Sequence, residues 1–215
     1  AGVFFPDYAC WYAPRWTRRP VFSMLWHLLI LPFHLRRMRF DLFLLAAANR
    51  RALAFYPLPA IAVVHDLAQY HIPGKYSRLR MFYLKRILPH FVRKVPQLVS
   101  VSHSTASDLQ KFWKIPAGRI CVCHNGVSVL PPVRGGWCAS NQLEPGQYIL
   151  YVSRLEHPGK NHLNLLKAYA LLPEALRCRY KLVLAGSDWQ DAAVIKSAAA
   201  QLPDAFRIVF TGFVC

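Results

Sequence analysis

Acidic residues are scarce in this sequence, with 10 Asp and Glu against 27 Lys and Arg, and the formal net charge is +17 at pH 7. Such a basic chain favours an anionic partner, which leaves nucleic acid, an acidic lipid surface and phosphorylated small molecules open. Hydrophobic residues make up 54% of the chain. That share provides enough apolar surface for buried cores and excludes an intrinsically disordered chain.

The cysteines form no Cys-x-x-Cys pair, and none has the histidine spacing of a zinc site. Cys121 and Cys123 alternate with Ile120 and Val122, as on one face of a strand. A chain with a large apolar core needs no disulfide bonds to fold. We therefore expect reduced cysteines, no metal and a cytoplasmic location.

Long apolar runs are also absent. The apolar stretch at residues 21–35 (VFSMLWHLLILPFHL) is shorter than the roughly 20 residues of a spanning helix, and it contains Pro32. Two interpretations remain: a helix packed on the core, or a helix whose aromatic and basic rim also rests on an anionic membrane. Residues 1–5 lack the basic segment of a signal peptide, so the sequence predicts an internal start.

Short apolar runs alternate with helical patterns along the chain. Strands are predicted at residues 40–45, 61–64, 98–101, 120–122, 148–152, 181–185 and 208–210. Helices are predicted at 76–88, 105–113, 161–172 and 192–201, with Thr105 and Asp108 as a capping box and Ser104 as a competing cap. This alternation predicts an α/β fold with parallel sheets.

The alternation breaks between Leu130 and Gly146, where Pro, Gly and polar residues are frequent. Strands and helices alternate again beyond this linker. We therefore predict two Rossmann-like domains, residues 1–132 and 147–215, with a cleft between them. Ligands of such sheets bind at the carboxyl ends of the strands.

The most informative segment, residues 148–166 (YILYVSRLEHPGKNHLNLL), is predicted to form a strand, a loop and a helix start. Arg154 and Lys160 lie on the loop. A helix amino terminus has unpaired N–H groups and a partial positive charge, so two cations beside it suit a diphosphate. The alternative is that both are ordinary solvated loop charges.

Two more predicted strands end in residues that suit a site. One ends at Gly186, before Ser187, where the missing Cβ lets a ligand approach the backbone. The strand at 61–64 is followed by His65 and Asp66, at the end where functional groups of α/β folds collect. A lone histidine there is also compatible with a hydrogen-bonded core residue.

Several motifs in order resemble glycosyltransferase family 4: VVHDL, LVSVSHSTASDL, RICVCHNGV, YILYVSRLEHPGKN, LVLAG and VFTGFV. An ordered set over residues 40–214 is far more specific than any single motif. The resemblance implies a retaining, mannosyltransferase-like enzyme of bacterial surface polysaccharide synthesis. It also implies the GT-B fold, with two Rossmann-like domains that are both incomplete in this sequence.

The resemblance further implies roles for individual residues. Arg154 and Lys160 match the pair that holds the donor diphosphate and stabilises it as the leaving group. His65 matches a catalytic residue beside the transferred sugar, and Gly186 matches part of the nucleotide pocket. The donor-binding set is Ser153, Arg154, Lys160, Asn161, Gly186 and Ser187, and the acceptor-side set is His65, Asp66, Asn125 and Gly126.

Departures from the family pattern are also present. Ser153 stands where the family usually has Gly before the arginine, and Ser128 stands where it usually has Asp after Asn-Gly-Val. The family's glycine-rich loop near the start of the acceptor domain and its Glu-x7-Glu segment do not occur in this sequence. We therefore expect a chain truncated at both ends.

No Asp-x-Asp motif occurs, which agrees with a metal-independent site where Arg, Lys and a helix dipole supply the positive charge. We expect no cofactor, a GDP- or UDP-sugar donor, a glycan or lipid-linked acceptor, and no nucleic-acid partner. The protein is expected in the cytoplasm, with peripheral contact to the inner membrane face as an option. Two alternatives remain open: a basic nucleic-acid-binding protein, and a non-catalytic remnant that binds nucleotide sugars.

Overall fold

The computed structural model describes residues 12–127 and 143–214. The chain divides into two compact units after Val127, and each unit has its own parallel β-sheet. Most of the linker predicted at 130–146, Ser128 and residues 1–5 lie outside the described residues. The predicted domain bounds of 1–132 and 147–215 and the cleft between the domains stay predictions.

The first unit is built on four parallel strands in the order β1-β2-β3-β4. Their register pairs Ala62 with Leu98 and Val99 with Cys121, and the side chains of Ala62, Val64 and Leu98 are fully buried. The predicted α/β fold with parallel sheets is confirmed. The strands are β1 (Phe43–Leu45), β2 (Ala60–Val64), β3 (Gln97–Ser100) and β4 (Ile120–Val122).

Two helical rods and one regular helix pack on this sheet. Each rod consists of two short α-helices joined by a π-helical turn. The first rod is α1 (Pro20–Leu25), the turn Trp26–Ile30 and α2 (Leu31–Arg37). The second is α3 (Arg78–Phe82), the turn Tyr83–Ile87 and α4 (Leu88–Val92), and the regular helix is α5 (His103–Trp113).

A Leu-Pro pair follows both π-helical turns and explains them. Pro32 has no N–H to donate to the carbonyl of Leu28, and that oxygen accepts from the N–H of Ala54 at 2.9 Å. Pro89 frees the carbonyl of Lys85 in the same way, and the hydroxyl of Tyr70 donates to it at 3.3 Å. The widened turn therefore exchanges a helical hydrogen bond for a tertiary one.

The first rod has two apolar faces. Trp26, Leu31 and Leu35 belong to the core of the first unit, as the core-packing interpretation requires. The opposite face is exposed and also apolar, and it includes Val21, Phe22, Leu25, Leu29 and Phe33. Among the described residues, no helix has the length and apolar composition needed to cross a bilayer.

The cap of α5 differs from the predicted capping box. Ser102 has an extended backbone, and its hydroxyl accepts from the N–H of Thr105 at 3.1 Å. Ser104 and Thr105 already lie inside the helix, so neither is the cap. Asp108 pairs instead with His71, whose Nε2 lies 2.6 Å from a carboxylate oxygen.

The second unit contains three parallel strands in the order β5-β6-β7, with helices between them. The strands are β5 (Tyr148–Val152), β6 (Lys181–Ala185) and β7 (Ile208–Gly212), and the helices are α6 (His162–Ala170), α7 (Glu174–Arg179) and α8 (Ala192–Ala200). Leu166, Leu184 and Ile195 are core residues of this unit. Val152 pairs with Ala185, so β5 and β6 end level and their following loops lie side by side.

Candidate donor-phosphate site

The loop after β5 is held against the loop after β6 by backbone hydrogen bonds. The N–H of Ser153 donates to Ala185 at 2.9 Å, and the N–H of Leu155 donates to Ser187 at 3.0 Å. Leu155 is also buried at 1% exposure and anchors the loop in the core. The predicted donor residues Ser153, Arg154, Lys160, Asn161, Gly186 and Ser187 therefore lie on two adjoining loops.

Gly186 makes this close pairing of loops possible. A Cβ at this position would lie 2.0 Å from the carbonyl oxygen of Ser153, and the backbone φ of +157° also disfavours a side chain. Sequence reasoning attributed this glycine to the approach of a ligand. The structure gives a direct physical reason within the chain itself, because the two loops approach each other here.

Arg154 is held in place on two sides. Its Nη2 lies 2.9 Å from Oε2 of Glu156, and its guanidinium lies over the ring of Trp189, 4.8 Å from the ring centroid. The arginine side chain is 50% exposed, whereas the glutamate is only 10% exposed. Since a guanidinium has five N–H donors, most of them stay accessible to an anion.

Lys160 and the start of α6 lie at the end of the same loop. The side chain of Lys160 forms no ion pair within the described part of the chain, while its carbonyl accepts from the hydroxyl of Tyr151 at 2.8 Å. Asn161 adopts the left-handed conformation and its side chain makes no cap hydrogen bond. The first N–H groups of α6 thus have no side-chain cap, and Lys160 precedes them directly on the loop that also carries Arg154. Free N–H groups and cations on one loop suit a diphosphate.

Ser153, which is half-buried, forms a hydrogen-bonded pair with the buried His162. The Ser153 hydroxyl donates to the carbonyl of Arg154 at 3.2 Å, which leaves its oxygen to accept from Nε2 of His162, also at 3.2 Å. His162 is 1% exposed, and burial lowers its pKa below the usual 6.5. The serine that replaces the family's usual glycine therefore has a specific partner.

His65 and Asp66 lie at the carboxyl end of β2, where the sequence predicts them. Nε2 of His65 donates to the carbonyl of Ala46 at 2.8 Å, so the proton resides on Nε2 and Nδ1 can accept from a ligand. Asp66 accepts from the N–H of Ala68 at 3.1 Å. His65 is exposed and not a core histidine, whereas Asp66 shapes a local turn.

Asn125 and Gly126 follow β4, whereas His65 follows β2. Strand β3 lies between these two strands in the sheet. Both are exposed, and the Asn125 side chain makes no hydrogen bond to a described residue. Two strand spacings separate the ends of β2 and β4 by about 10 Å. These two pairs can line the same edge of the sheet without contacting each other. Within the described residues, no cluster of His, Cys, Asp and Glu side chains has an arrangement suited to a metal ion.

Three residues of the site were missed by sequence reasoning. Glu156 and Trp189 hold Arg154, and His162 supports Ser153. Glu156 and His162 lie inside the motif at 148–166, so an acidic residue two positions after the arginine was an available signal. Trp189 comes from the loop after β6, and no local pattern connects it to Arg154.

The fold and the described residues define an α/β protein in which two cationic side chains lie on the loop between a strand and a helix amino terminus. Residues 6–129 match the family model described as Glycosyltransferase Family 4, and residues 139–215 match the model described as Glycosyl transferases group 1. The chain belongs to glycosyltransferase family 4, and the family predicted from the motifs is confirmed.

Relatives with known names agree with this family. O-antigen chain mannosyltransferase B of Escherichia coli is 28% identical over 143 residues, which are 61% of this chain and 36% of that protein. HepE of Anabaena, solved in complex with UDP-glucose, has 15% identity and a TM-score of 0.61 over 86% of this chain. A glycosyltransferase from Rickettsia africae has 16% identity and a TM-score of 0.59 over 96% of this chain.

These matches establish the fold of the chain but not the extent of the whole protein. The matched regions are 52% of the HepE chain and 54% of the Rickettsia chain. This chain thus spans about half the length of the solved structures that it matches. The expected GT-B fold is confirmed by these glycosyltransferase neighbours.

Proposed function

We propose that this chain forms part of a retaining glycosyltransferase that transfers a hexose from a nucleoside diphosphate sugar to a glycan or lipid-linked acceptor. One observation carries the proposal. Arg154, held by Glu156 and Trp189, lies on the loop that carries Lys160 to the uncapped start of α6. These groups supply the positive charge and N–H donors that a diphosphate requires.

The chemistry of transfer suits this arrangement. The bond between the anomeric carbon and the diphosphate oxygen breaks, and the acceptor hydroxyl forms a new bond to that carbon. The acceptor proton leaves to the released diphosphate or to solvent. Negative charge grows on the departing diphosphate, so Arg154 and Lys160 stabilise the transition state more than the bound substrate.

We propose that this step needs no divalent metal. Fixed cations and a helix dipole can stabilise the leaving group in the way that a bound metal ion does elsewhere. Addition of EDTA tests this part directly, because a metal-independent enzyme keeps its rate in the chelator.

The donor is a GDP- or UDP-sugar. The similarity to an O-antigen mannosyltransferase favours mannose as the sugar, and the solved relative with UDP-glucose shows that a neighbour in fold binds a uridine nucleotide. His65, whose Nδ1 makes no hydrogen bond to a described residue at the carboxyl end of β2, is proposed to face the transferred sugar. Asp66, Asn125 and Gly126 are proposed to lie on the acceptor side.

The acceptor belongs to polysaccharide synthesis, and the protein is proposed to work in the cytoplasm against the inner membrane face. The exposed apolar face of the first rod supports this contact, since Phe22, Leu29 and Phe33 lie there in water-exposed positions. Arg18 and Arg19 precede the rod. Apolar side chains flanked by arginines are typical of helices that rest on anionic lipid.

The proposed activity is tested by release of nucleoside diphosphate from GDP-mannose and from UDP-glucose, with and without EDTA. We expect release from one donor, unchanged by EDTA and abolished in Arg154→Ala. Proton NMR of the transferred sugar checks that the anomeric configuration is retained. A protein that binds the nucleotide tightly but releases no product with any acceptor is a binding remnant, and the enzymatic proposal then fails.

A further inference from the structure

The first unit contains a large groove that the donor site does not use. It has a volume of about 710 Å³ and lies between the start of the first rod and the middle of the second. Binding sites for small molecules occupy roughly 300–1,000 Å³, so the groove has the size of a ligand site. Apolar side chains form much of its wall, including those of Val21, Met24, Leu79, Phe82 and Ile87.

Four arginines line the same groove: Arg18, Arg50, Arg51 and Arg80. Within residues 12–127 and 143–214, no Asp or Glu lines the groove, and none of the four arginines forms an ion pair. Arg80 lies over the ring of Tyr76, 4.3 Å from the centroid. A concave wall with one sign of charge attracts an anion strongly.

A buried hydroxyl belonging to a groove residue has no partner among the described residues. Tyr83 lines the groove and is 4% exposed, yet its hydroxyl makes no hydrogen bond to a described residue. Burial raises the pKa of Tyr83 to about 12, with smaller effects of Tyr56 and Arg51, so the hydroxyl stays protonated at neutral pH. Buried polar groups normally have partners, so a small turn of the Tyr83 side chain that brings its hydroxyl to the groove surface would let it donate to a ligand acceptor.

We propose that this groove binds a lipid phosphate, a single apolar chain that ends in a phosphate or diphosphate ester. The arginines and the Tyr83 hydroxyl hold the ester oxygens, and the apolar wall takes the first part of the chain. Val21 and Phe22 continue this apolar surface onto the exposed face of the first rod. The chain can therefore leave the groove toward the surface that we propose contacts the membrane.

Two features of the groove, its cationic cluster and its apolar wall, favour a lipid phosphate over other anionic ligands. A nucleotide or a free phosphate needs no extended apolar wall, and a long nucleic acid needs an open track of charge. The groove instead combines a cationic cluster with apolar side chains at one place. Its role as the site for the carrier of the acceptor rests on the proposed function, but lipid-phosphate binding is measured without any sugar donor.

The test is a calorimetric titration of farnesyl diphosphate, at concentrations below micelle formation, into the full chain. Inorganic pyrophosphate and farnesol are titrated in parallel, and vesicles of phosphatidylglycerol form a fourth arm. We expect saturable binding of farnesyl diphosphate, at least tenfold tighter than either pyrophosphate or farnesol. Arg51→Ala and Leu79→Glu should each weaken it several-fold, while Arg39→Ala, an exposed arginine outside the groove, should leave it unchanged.

Tyr83→Phe provides a readout that a structural role would not give. Since the hydroxyl has no partner among the described residues, its removal should keep or raise thermal stability while weakening farnesyl diphosphate binding several-fold. A variant that loses stability without losing affinity would overturn the role of Tyr83.

The proposed site is overturned if pyrophosphate binds as tightly as farnesyl diphosphate, because the groove is then an anion patch only. It is equally overturned if only vesicles bind, which indicates adsorption to a membrane surface, or if Arg51→Ala and Leu79→Glu have no effect. Titration of UDP and GDP into the same samples separates the two proposals. If the chain binds farnesyl diphosphate but neither UDP nor GDP, the proposed function is contradicted, whereas the groove remains a lipid-phosphate site.

Discussion

At the scale of single residues, Glu156 determines where the guanidinium of Arg154 lies. Its carboxylate is mostly buried and faces an arginine that is half exposed. Gly159 makes room for this carboxylate, because a Cβ there would lie 2.8 Å from Oε1 of Glu156. A buried carboxylate depends on its cation, so the pair constrains Arg154 even before a ligand arrives.

Replacement of Glu156 by Gln should weaken nucleotide binding. The neutral side chain keeps a hydrogen-bond acceptor but loses the charge, and we expect a loss of about 0.5–1.5 kcal/mol, or roughly 2- to 10-fold in affinity. Titrations of UDP and GDP measure it, with exposed Glu174→Gln as the control. Because Glu156 acts through Arg154, Glu156→Gln should add little in an Arg154→Ala background, and full additivity would contradict a positioning role.

Gly186→Ala should destabilise the second unit. The new methyl group would meet the carbonyl of Ser153, so the two loops must separate, at a cost of roughly 3 kcal/mol. Urea denaturation of the variant measures this cost. Gly118→Ala is the matched control, because a Cβ there meets no atom within 4 Å. Equal stabilities of both variants would show that the loop pairing is not as close as described.

Acid should destabilise the fold through His162. Burial lowers its pKa in the folded protein, so the unfolded chain binds the proton more readily and stability falls as the pH drops through the usual value near 6.5. Burial also lowers the pKa of His27, so this histidine should likewise destabilise the fold as the pH falls. Thermal unfolding between pH 7.5 and 5.5 should show a smaller pH dependence in His162→Gln than in the exposed control His90→Gln.

At the scale of secondary-structure elements, the two rods share one feature, which is a π-helical turn before a Leu-Pro pair. The carbonyl released by Pro89 is bound by the hydroxyl of Tyr70. That hydroxyl also accepts from Nε1 of Trp113, which is fully buried, at 3.2 Å. Tyr70 thus joins the second rod to α5.

Tyr70→Phe should therefore lower the free energy of unfolding by more than the removal of an exposed hydroxyl does. It leaves the indole N–H of Trp113 and the carbonyl of Lys85 without this partner, which costs about 1–3 kcal/mol. Chemical denaturation measures the change. Tyr76→Phe, whose hydroxyl makes no hydrogen bond to a described residue, should change stability by much less. A Tyr70→Phe variant of full stability would contradict the proposed bridge.

Elements were predictable from sequence wherever one local pattern decides them. Strands β4, β5 and β6 have the predicted bounds, because each is a short and nearly continuous run of apolar residues. The π-helical turns were not predicted, since their carbonyls depend on distant donors such as Ala54. The short helix α7 was missed, and the cap of α5 was misplaced because Ser102, Ser104 and Thr105 all suit that position.

The candidate site was predictable to a similar degree. Arg154 and Lys160 were found because they lie on one continuous motif between a strand and a helix. The contact of Arg154 with Trp189 depends on the pairing of two loops, and no spacing in the sequence encodes it. Burial of His162 likewise depends on the packing of α6 against the sheet.

At the scale of the whole molecule, the proposed function needs both units. Arg154 and Lys160 belong to the second unit, whereas His65 and the arginine-lined groove belong to the first. The two phosphate-binding regions that we propose would account for part of the net charge of +17. Charge of this kind also binds nucleic acid without specificity, so oligonucleotide binding alone identifies no function.

The salt dependence of affinity should separate nonspecific binding of nucleic acid from binding of a nucleotide at the donor-phosphate site. Contacts to a long nucleic acid release many counterions, so random oligonucleotides should bind with an affinity that falls steeply between about 50 and 200 mM salt. Nucleotide binding at one loop uses only two cations and should fall much less. Parallel titrations of an oligonucleotide and of UDP or GDP measure both slopes, and a nucleotide affinity as salt-sensitive as the oligonucleotide's would support a general anion-binding surface instead.

The most direct test of the central claim is a calorimetric titration of UDP and of GDP into the folded chain and into Arg154→Ala, Lys160→Ala and Lys167→Ala. Lys167 is an exposed lysine in the last turn of α6, so it controls for charge alone. We predict saturable binding of one nucleotide, weakened about 10- to 100-fold in the first two variants by the loss of a charged hydrogen bond, and unchanged in the third. Absence of binding to a folded chain, or equal loss in all three variants, would contradict the assignment of this loop as the donor-phosphate site.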